Sequence, residues 1–230
     1  FNHAVMLYSQ DGFDRETVEA VFKRLQQHHD ALRMTFREED GCFIQYNHGV
    51  DDSTLSLEEH DFRGRENAGK VKEEMEARCN EIQAGINLET GPLMRLGLFH
   101  LDDGDRLLIV VHHLVIDGVS WRILFEDLET LYRQYKHGHS FQPPFKTDAF
   151  KMWAEQLLQY SGSEAFLQEK AYWAELGKMP FQVIKKDLEL AGTGEDETMS
   201  IETQSFTLTE EETRLLLTGV NQAFGTEINY

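Results

Sequence analysis

The chain has 230 residues, 40% of them apolar, enough for one sizeable core or two smaller ones. Lys and Arg number 22 against 41 Asp and Glu, a formal net charge of −19, which disfavours nucleic acid and anionic membrane surfaces as partners. No apolar run reaches the length of about 18 residues that a membrane span needs, and no signal-peptide pattern opens the chain. Cys42 and Cys79 lack metal-ligand spacing; they read as reduced thiols in a strand core and a helix core, which predicts a cytoplasmic protein. Both ends read as cut. The chain opens inside a strand and closes at Ile228-Asn229-Tyr230 without a tail, as expected of part of a longer polypeptide.

Asn2 to Leu7 is the first predicted strand. Phe13 to His29 reads as an amphipathic helix, because Val18, Val21, Phe22 and Leu25 share one face, with Asp14 as N-cap. The segment His28-His29-Asp30-Ala31-Leu32-Arg33-Met34-Thr35-Phe36 then passes from helix into strand. Glu39-Asp40-Gly41 predicts a hairpin turn into Cys42 to Tyr46. Leu55 to Phe62 is a further strand. Glu66 to Ala84 is a helix with Val71, Met75, Cys79 and Ile82 on one side and Lys72–Glu76 and Glu74–Arg78 pairs on the solvent side. Leu93 to Leu101 and Arg106 to His113 form a hairpin about the turn at 102–105. Its second arm is apolar without alternation from Leu107 to Val111, the mark of a strand buried on both faces.

That strand delivers Val110-Val111-His112-His113-Leu114-Val115-Ile116-Asp117-Gly118-Val119-Ser120-Trp121. Successive strand side chains point to opposite faces, so His112 and His113 do not share one cavity. One is expected to be structural and the other available for chemistry. From Val119 to Tyr135 a third helix carries Trp121, Leu124, Leu128, Leu131 and Tyr135 on one face, with Glu126, Asp127, Glu129 and Arg133 on the other. Two more helices are predicted, Phe150 to Tyr160 and Glu164 to Leu176, with Trp153 and Trp173 as core aromatics. Leu190 to Thr198 reads as a mobile loop and Met199 to Leu208 as a strand. Thr209 with Glu212 forms a capping box that opens a last helix to about Phe224. Strands interspersed with long amphipathic helices, and hairpins among them, argue an α/β sandwich with a mixed sheet.

His112, His113, Asp117 and Gly118 make His-His-x-x-x-Asp-Gly. This resembles the core motif of the condensation-domain superfamily of nonribosomal peptide synthetases, which is similar to chloramphenicol acetyltransferase. The continuation Val119-Ser120-Trp121-Arg122-Ile123-Leu124 resembles the epimerization branch, since condensation domains usually place an aromatic directly after the Gly. Gln27 to Phe36 resembles the family's RHxxLRTxF motif, with Gln27 in the Arg position and Met34 where Thr is usual, and Ile86 to Arg95 resembles its NLxxGPLxR stretch. The resemblance implies a two-layer sandwich of the chloramphenicol acetyltransferase type, one of two lobes of a V with the His motif in the crevice. Residues 1–178 would be the N-terminal lobe; residues 179–230 would be a linker and the first strand and helix of the second.

The resemblance also implies a chemistry. His113 would be the catalytic residue, acting on the Cα–H of an aminoacyl or peptidyl thioester held on the 4'-phosphopantetheine arm of a peptidyl carrier protein. An imidazole exchanges protons near neutrality, and a thioester acidifies its α-proton. His112 would pack inward and hold the strand end. Asp117 would pair with an arginine, for which Arg33 is the candidate. Gly118 would allow a positive φ or a close backbone approach. Ser120 would cap the third helix, turning its positive N-terminus toward the crevice. Trp121 would shape the crevice or pack the helix face. Family members use a glutamate from a later motif as the other catalytic group, and no Glu here is assigned that part. No cofactor is expected to bind directly, and no metal: His112 and His113 point apart, and His137-Gly138-His139 reads as a polar turn. Partners would be the carrier domain, adjacent synthetase modules and the second lobe, with neither nucleic acid nor membrane. Peptide-bond formation by a condensation domain, or a non-catalytic carrier-docking module, are the alternatives.

Overall fold

The computed structural model describes residues 1–50, 55–180 and 205–225. The predicted loop at 190–198 and most of the strand at 199–208 lie outside them. The chain divides into two units, Phe1–Ala171 and Tyr172–Tyr230.

A mixed sheet of four strands organises the first unit. In chain order its strands are β1 (Asn2–Ser9), β4 (Ser56–Asp61), β5 (Met94–Leu101) and β6 (Gly104–His112). Across the sheet the order is β1-β6-β5-β4. Strands β1 and β5 run antiparallel to β6, and β4 runs parallel to β5. Strands β2 (Met34–Glu39) and β3 (Cys42–Asn47) form a separate hairpin. Its turn works because Asp40 and Gly41 both take positive φ, 51° and 77°, the pair of left-handed residues that a tight hairpin needs.

Both faces of the sheet are covered. Helices α1 (Arg15–His28) and α3 (Gly118–Lys136) pack on one. There Val18, Val21, Phe22, Leu25, Trp121, Leu124, Leu128 and Leu131 meet Leu96, Leu107, Ile109 and Val111. Helix α2 (Ala68–Ala84) covers the other, where Ile82 meets Phe99, Leu108 and Val110. The sandwich read from the sequence therefore has a third layer. It is also why β6 is apolar without alternation: odd residues face α1 and α3, even ones face α2. Burying each such side chain contributes about 1.5–3 kcal/mol.

The helix ends follow local chemistry. Asp14 caps α1 by accepting from the Thr17 amide at 2.8 Å, and Asn67 caps α2 by accepting from Lys70 at 3.1 Å. On α2, Lys72 reaches Glu76 at 3.8 Å, but Glu74 pairs with Arg65 and Arg78 with Glu81. Helices α4 (Phe150–Ser161) and α5 (Glu164–Leu176) bury no residue, and Trp153 and Trp173 stay 55% and 58% exposed. The core role expected of both tryptophans is thus corrected: helical spacing collects an apolar face without saying what covers it. Cys42 is corrected likewise, since it lies exposed at the hairpin turn, while Cys79 is half-buried in α2. In the second unit Thr209 and Glu212 form the expected capping box. It opens α6 (Glu210–Arg214), which runs through a π-helical turn at Leu215–Gly219 into α7 (Val220–Phe224).

Candidate active site

Strand register places the histidines. The His112 amide donates to the Leu93 carbonyl at 2.9 Å, on the β5 side. The His113 amide donates to the Phe1 carbonyl at 3.0 Å, on the β1 side. By alternation His113 continues the face of Ile109 and Val111, and His112 the face of Leu108 and Val110. The two side chains therefore leave the strand on opposite faces, as alternation requires.

His113 is exposed. Its Nδ1 lies 2.8 Å from the Ile116 carbonyl oxygen. A carbonyl only accepts, so Nδ1 carries the proton and Nε2 of the neutral ring keeps its lone pair. The bond is made possible by the turn after β6, closed by the Val115 amide donating to the His112 carbonyl at 3.0 Å. Val115 and Ile116 are buried and anchor that turn to the core. The tautomer is thereby set by backbone.

His112 is half-buried, not fully packed inward, because the sheet ends there. Its Nδ1 accepts from the Leu114 amide at 3.2 Å. Burial, then the adjacent His113, holds its basicity down. Both rings thus serve the turn through Nδ1, His112 as acceptor and His113 as donor.

Asp117 does not meet Arg33. Its carboxylate is the N-cap of α3, accepting from the Ser120 amide at 2.7 Å and from the Ser120 hydroxyl. These bonds hold it below the usual carboxylate range. Ser120 is therefore the donor to the cap rather than the cap itself. The positive end of α3 is already met by this anion, so it is not a free site for developing negative charge. Gly118 opens α3 and is absent from the positive-φ glycines. A Cβ built there meets nothing within 4 Å, so neither strain nor close packing requires glycine there among the described residues.

Arg33 is buried. It donates from Nη1 to the carbonyls of Gln26 and Gln27, from Nε to that of His48, and from Nη2 to Asp30 at 2.8 Å. It closes the C-terminal end of α1 onto the following turn and strand. Near it, Asp127 is also buried, at 4% exposure, and takes a hydrogen bond from His29 Nε2 at 2.8 Å. The sequence placed Asp127 on the solvent face of α3. It is drawn inward because α1 packs on α3 there and supplies the histidine. Ligand atoms of His28, His29 and Asp127 lie within 4.8 Å of one another. Burial, then His29, holds the basicity of His28 down, and Lys146 and Arg24 add positive charge nearby. The hydrogen bond between His29 and Asp127 ties the end of α1 to α3.

Trp121 is 8% exposed and packs in the core. It also does something the sequence does not announce. Its Nε1–H donates to His3 Nδ1 at 3.1 Å, and the His3 ring lies 4.1 Å from that of His113, centroid to centroid, tilted by 48°. His3 joins the site only through the β1–β6 pairing, in which it stands opposite Val111. No motif or periodicity in the sequence gives that register.

The chain is similar to known proteins. The condensation-domain profile matches residues 1–230. Among curated relatives, gramicidin S synthase 1 of Brevibacillus brevis is 43% identical over 230 residues, all of this chain and 20% of that protein. Surfactin synthase subunit 1 of Bacillus subtilis (strain 168) is 41% identical over the whole chain and 6% of its own length. Among solved structures, the epimerization domain from the third module of tyrocidine synthetase B is 41% identical with a TM-score of 0.87, covering 99% of this chain and 51% of that one. The starter condensation domain of rhizomide synthetase shares the fold at 20% identity and a TM-score of 0.63, over 77% of this chain and 42% of its own. The chain belongs to the condensation-domain family of nonribosomal peptide synthetases, with the chloramphenicol acetyltransferase-like fold. It spans about half the length of that epimerization domain and a fifth or less of these curated relatives.

Proposed function

We propose that the chain is part of an epimerization domain, converting the L- to the D-configuration at Cα of an aminoacyl or peptidyl thioester. The substrate would be presented on the 4'-phosphopantetheine of a carrier protein in the cytoplasm, and the chain would carry the N-terminal lobe in residues 1–178. The observation that carries this reading is the 41% identity to a solved epimerization domain over 99% of the chain. The site supports it chemically. Abstraction of the α-proton leaves an enolate delocalised into the thioester carbonyl; return of a proton to the opposite face inverts the centre. His113 Nε2 is the proton carrier on one face. Its Nδ1–H bond to Ile116 leaves Nε2 as the nitrogen that gains and loses the proton, the role that a carboxylate or carbonyl partner plays for catalytic histidines elsewhere. The opposite face needs a second acid–base group, which we assign to no residue of this chain.

Formation of a peptide bond is the second reading, because the matching family is named for condensation. One experiment separates the two. The full-length enzyme is loaded with an L-aminoacyl thioester in deuterated water, without an acceptor. Epimerization washes deuterium into Cα and gives a D/L mixture, and His113→Ala lowers the exchange by about 10²–10⁴-fold, the usual worth of a general acid–base group. Protium retained in a pure L product would rule the epimerase reading out.

A further inference from the structure

We propose that His3 is a positioning residue for His113, held in one tautomer by Trp121 and packed against the His113 ring so that Nε2 of His113 keeps one aim. This rests on the reading of His113 as the proton carrier. Two bonds carry it, each with an unambiguous partner. An indole nitrogen only donates, so the 3.1 Å contact from Trp121 Nε1 makes His3 Nδ1 the acceptor and leaves the proton of the neutral His3 ring on Nε2. A backbone carbonyl only accepts, so the 2.8 Å contact to Ile116 puts the proton of the neutral His113 ring on Nδ1. The two imidazoles therefore meet with opposite tautomers, their centroids 4.1 Å apart and their planes tilted by 48°.

The support behind each ring is rigid. Trp121 is buried, and its ring stacks on Phe125 at 5.2 Å. His3 lies within β1, a strand paired to β6 along its length. His113, by contrast, sits beyond the end of β6 on an exposed turn. Its backbone bonds fix one ring nitrogen; they leave the ring free to swing about that bond. His3 supplies the flat surface that limits the swing. A proton carrier must hold its nitrogen within a fraction of an ångström of the reacting carbon's proton, and a loose supporting layer costs rate. The phenyl ring of Phe1 lies 5.8 Å from His3 and 5.6 Å from His113 and fills the third side of the same small cluster.

The test has a spectroscopic arm and a kinetic arm. Long-range 1H–15N spectra of the chain at mildly alkaline pH are expected to show His113 in the Nδ1–H form and His3 in the Nε2–H form. Trp121→Phe keeps an aromatic in the core but removes the donor, and is expected to let His3 sample both tautomers. In the full-length enzyme, His3→Leu is expected to lower kcat for Cα exchange by about tenfold to a hundredfold with KM for the thioester unchanged. His3→Gln, whose amide both accepts from Trp121 and presents a flat face, restores most of it. Unchanged His113 nitrogen shifts together with an unchanged kcat in His3→Leu would overturn the proposal. So would wild-type spectra in which both rings share one tautomer. If His3→Leu does not fold, His3→Gln and Trp121→Phe decide the matter by the same spectra. Failure of the epimerase reading is told apart by His113→Ala: full exchange in that variant removes the proton carrier and leaves the tautomer spectra to judge the packing alone.

Discussion

At the scale of single residues, the same charge does different work depending on which backbone atoms surround it. Arg33 and Asp117 invite pairing on paper, yet Arg33 spends three of its donors on main-chain carbonyls, and Asp117 closes a helix. Arg33→Ala is expected to destabilise the fold by about 1–3 kcal/mol through loss of these bonds, the one to Gln26 being buried. Asp117→Ala loosens only the start of α3. Unfolding by denaturant should show the two substitutions adding independently, as distant sites do; strong coupling between them would restore the discarded ion pair. His100 gives a second case. Burial alone would lower its basicity, but hydrogen bonds to Glu59 and Asp105, both at 2.9 Å, outweigh it and raise the pKa. Two carboxylate acceptors require two N–H donors, so the paired form is the imidazolium. The folded ring thus holds its proton to higher pH than the unfolded one, whose pKa is about 6.5. Its stabilisation is complete below about pH 6.5 and fades as pH climbs through the folded value. His28 and His112, whose basicity is lowered, act in the opposite sense over the same range. The informative measurement is therefore the difference between wild type and His100→Gln. It should be largest in mild acid and shrink toward alkaline pH.

Elements show which signals a linear pattern transmits well. Helices α1, α2 and α3 were legible because an apolar stripe at helical spacing and a capping side chain are local facts. The β2–β3 hairpin was legible because Asp-Gly supplies the two positive φ angles such a turn needs. Asp127 was misplaced because a helical wheel cannot report a neighbour: only the packing of α1 on α3 brings His29 to it. The same dependence on a neighbour explains Gly97 in β5. A Cβ there would lie 2.6 Å from Ile82 Cδ1 and 2.9 Å from Phe99, and both of those side chains are fully buried. Gly97→Ala is expected to cost about 1–3 kcal/mol, as overpacking does, by lifting α2 from the sheet. Paired Gly97→Ala and Ile82→Val should cost less than the sum, which a denaturation cycle would measure.

On the scale of the whole molecule, the first unit buries its sheet on both faces but leaves α4 with Phe150, Met152, Trp153, Leu157 and Leu158 exposed. Among the described residues no helix is long and apolar enough to cross a membrane. The chain spans about half the length of the solved epimerization domain, and we expect no Cα exchange from the 230 residues alone. The assay is the deuterium wash-in described above, and measurable exchange by the chain would show that one lobe suffices. The motif around His112 and His113, the class of fold and the family were all readable in one dimension, because they depend on residue type, spacing and period. Which nitrogen carries the proton, why Arg33 and Asp117 never meet, and that His3 stands beside His113 were decided by strand register and by turns closed through backbone atoms. Those contacts join residues up to 118 positions apart, and no local pattern along a chain encodes them.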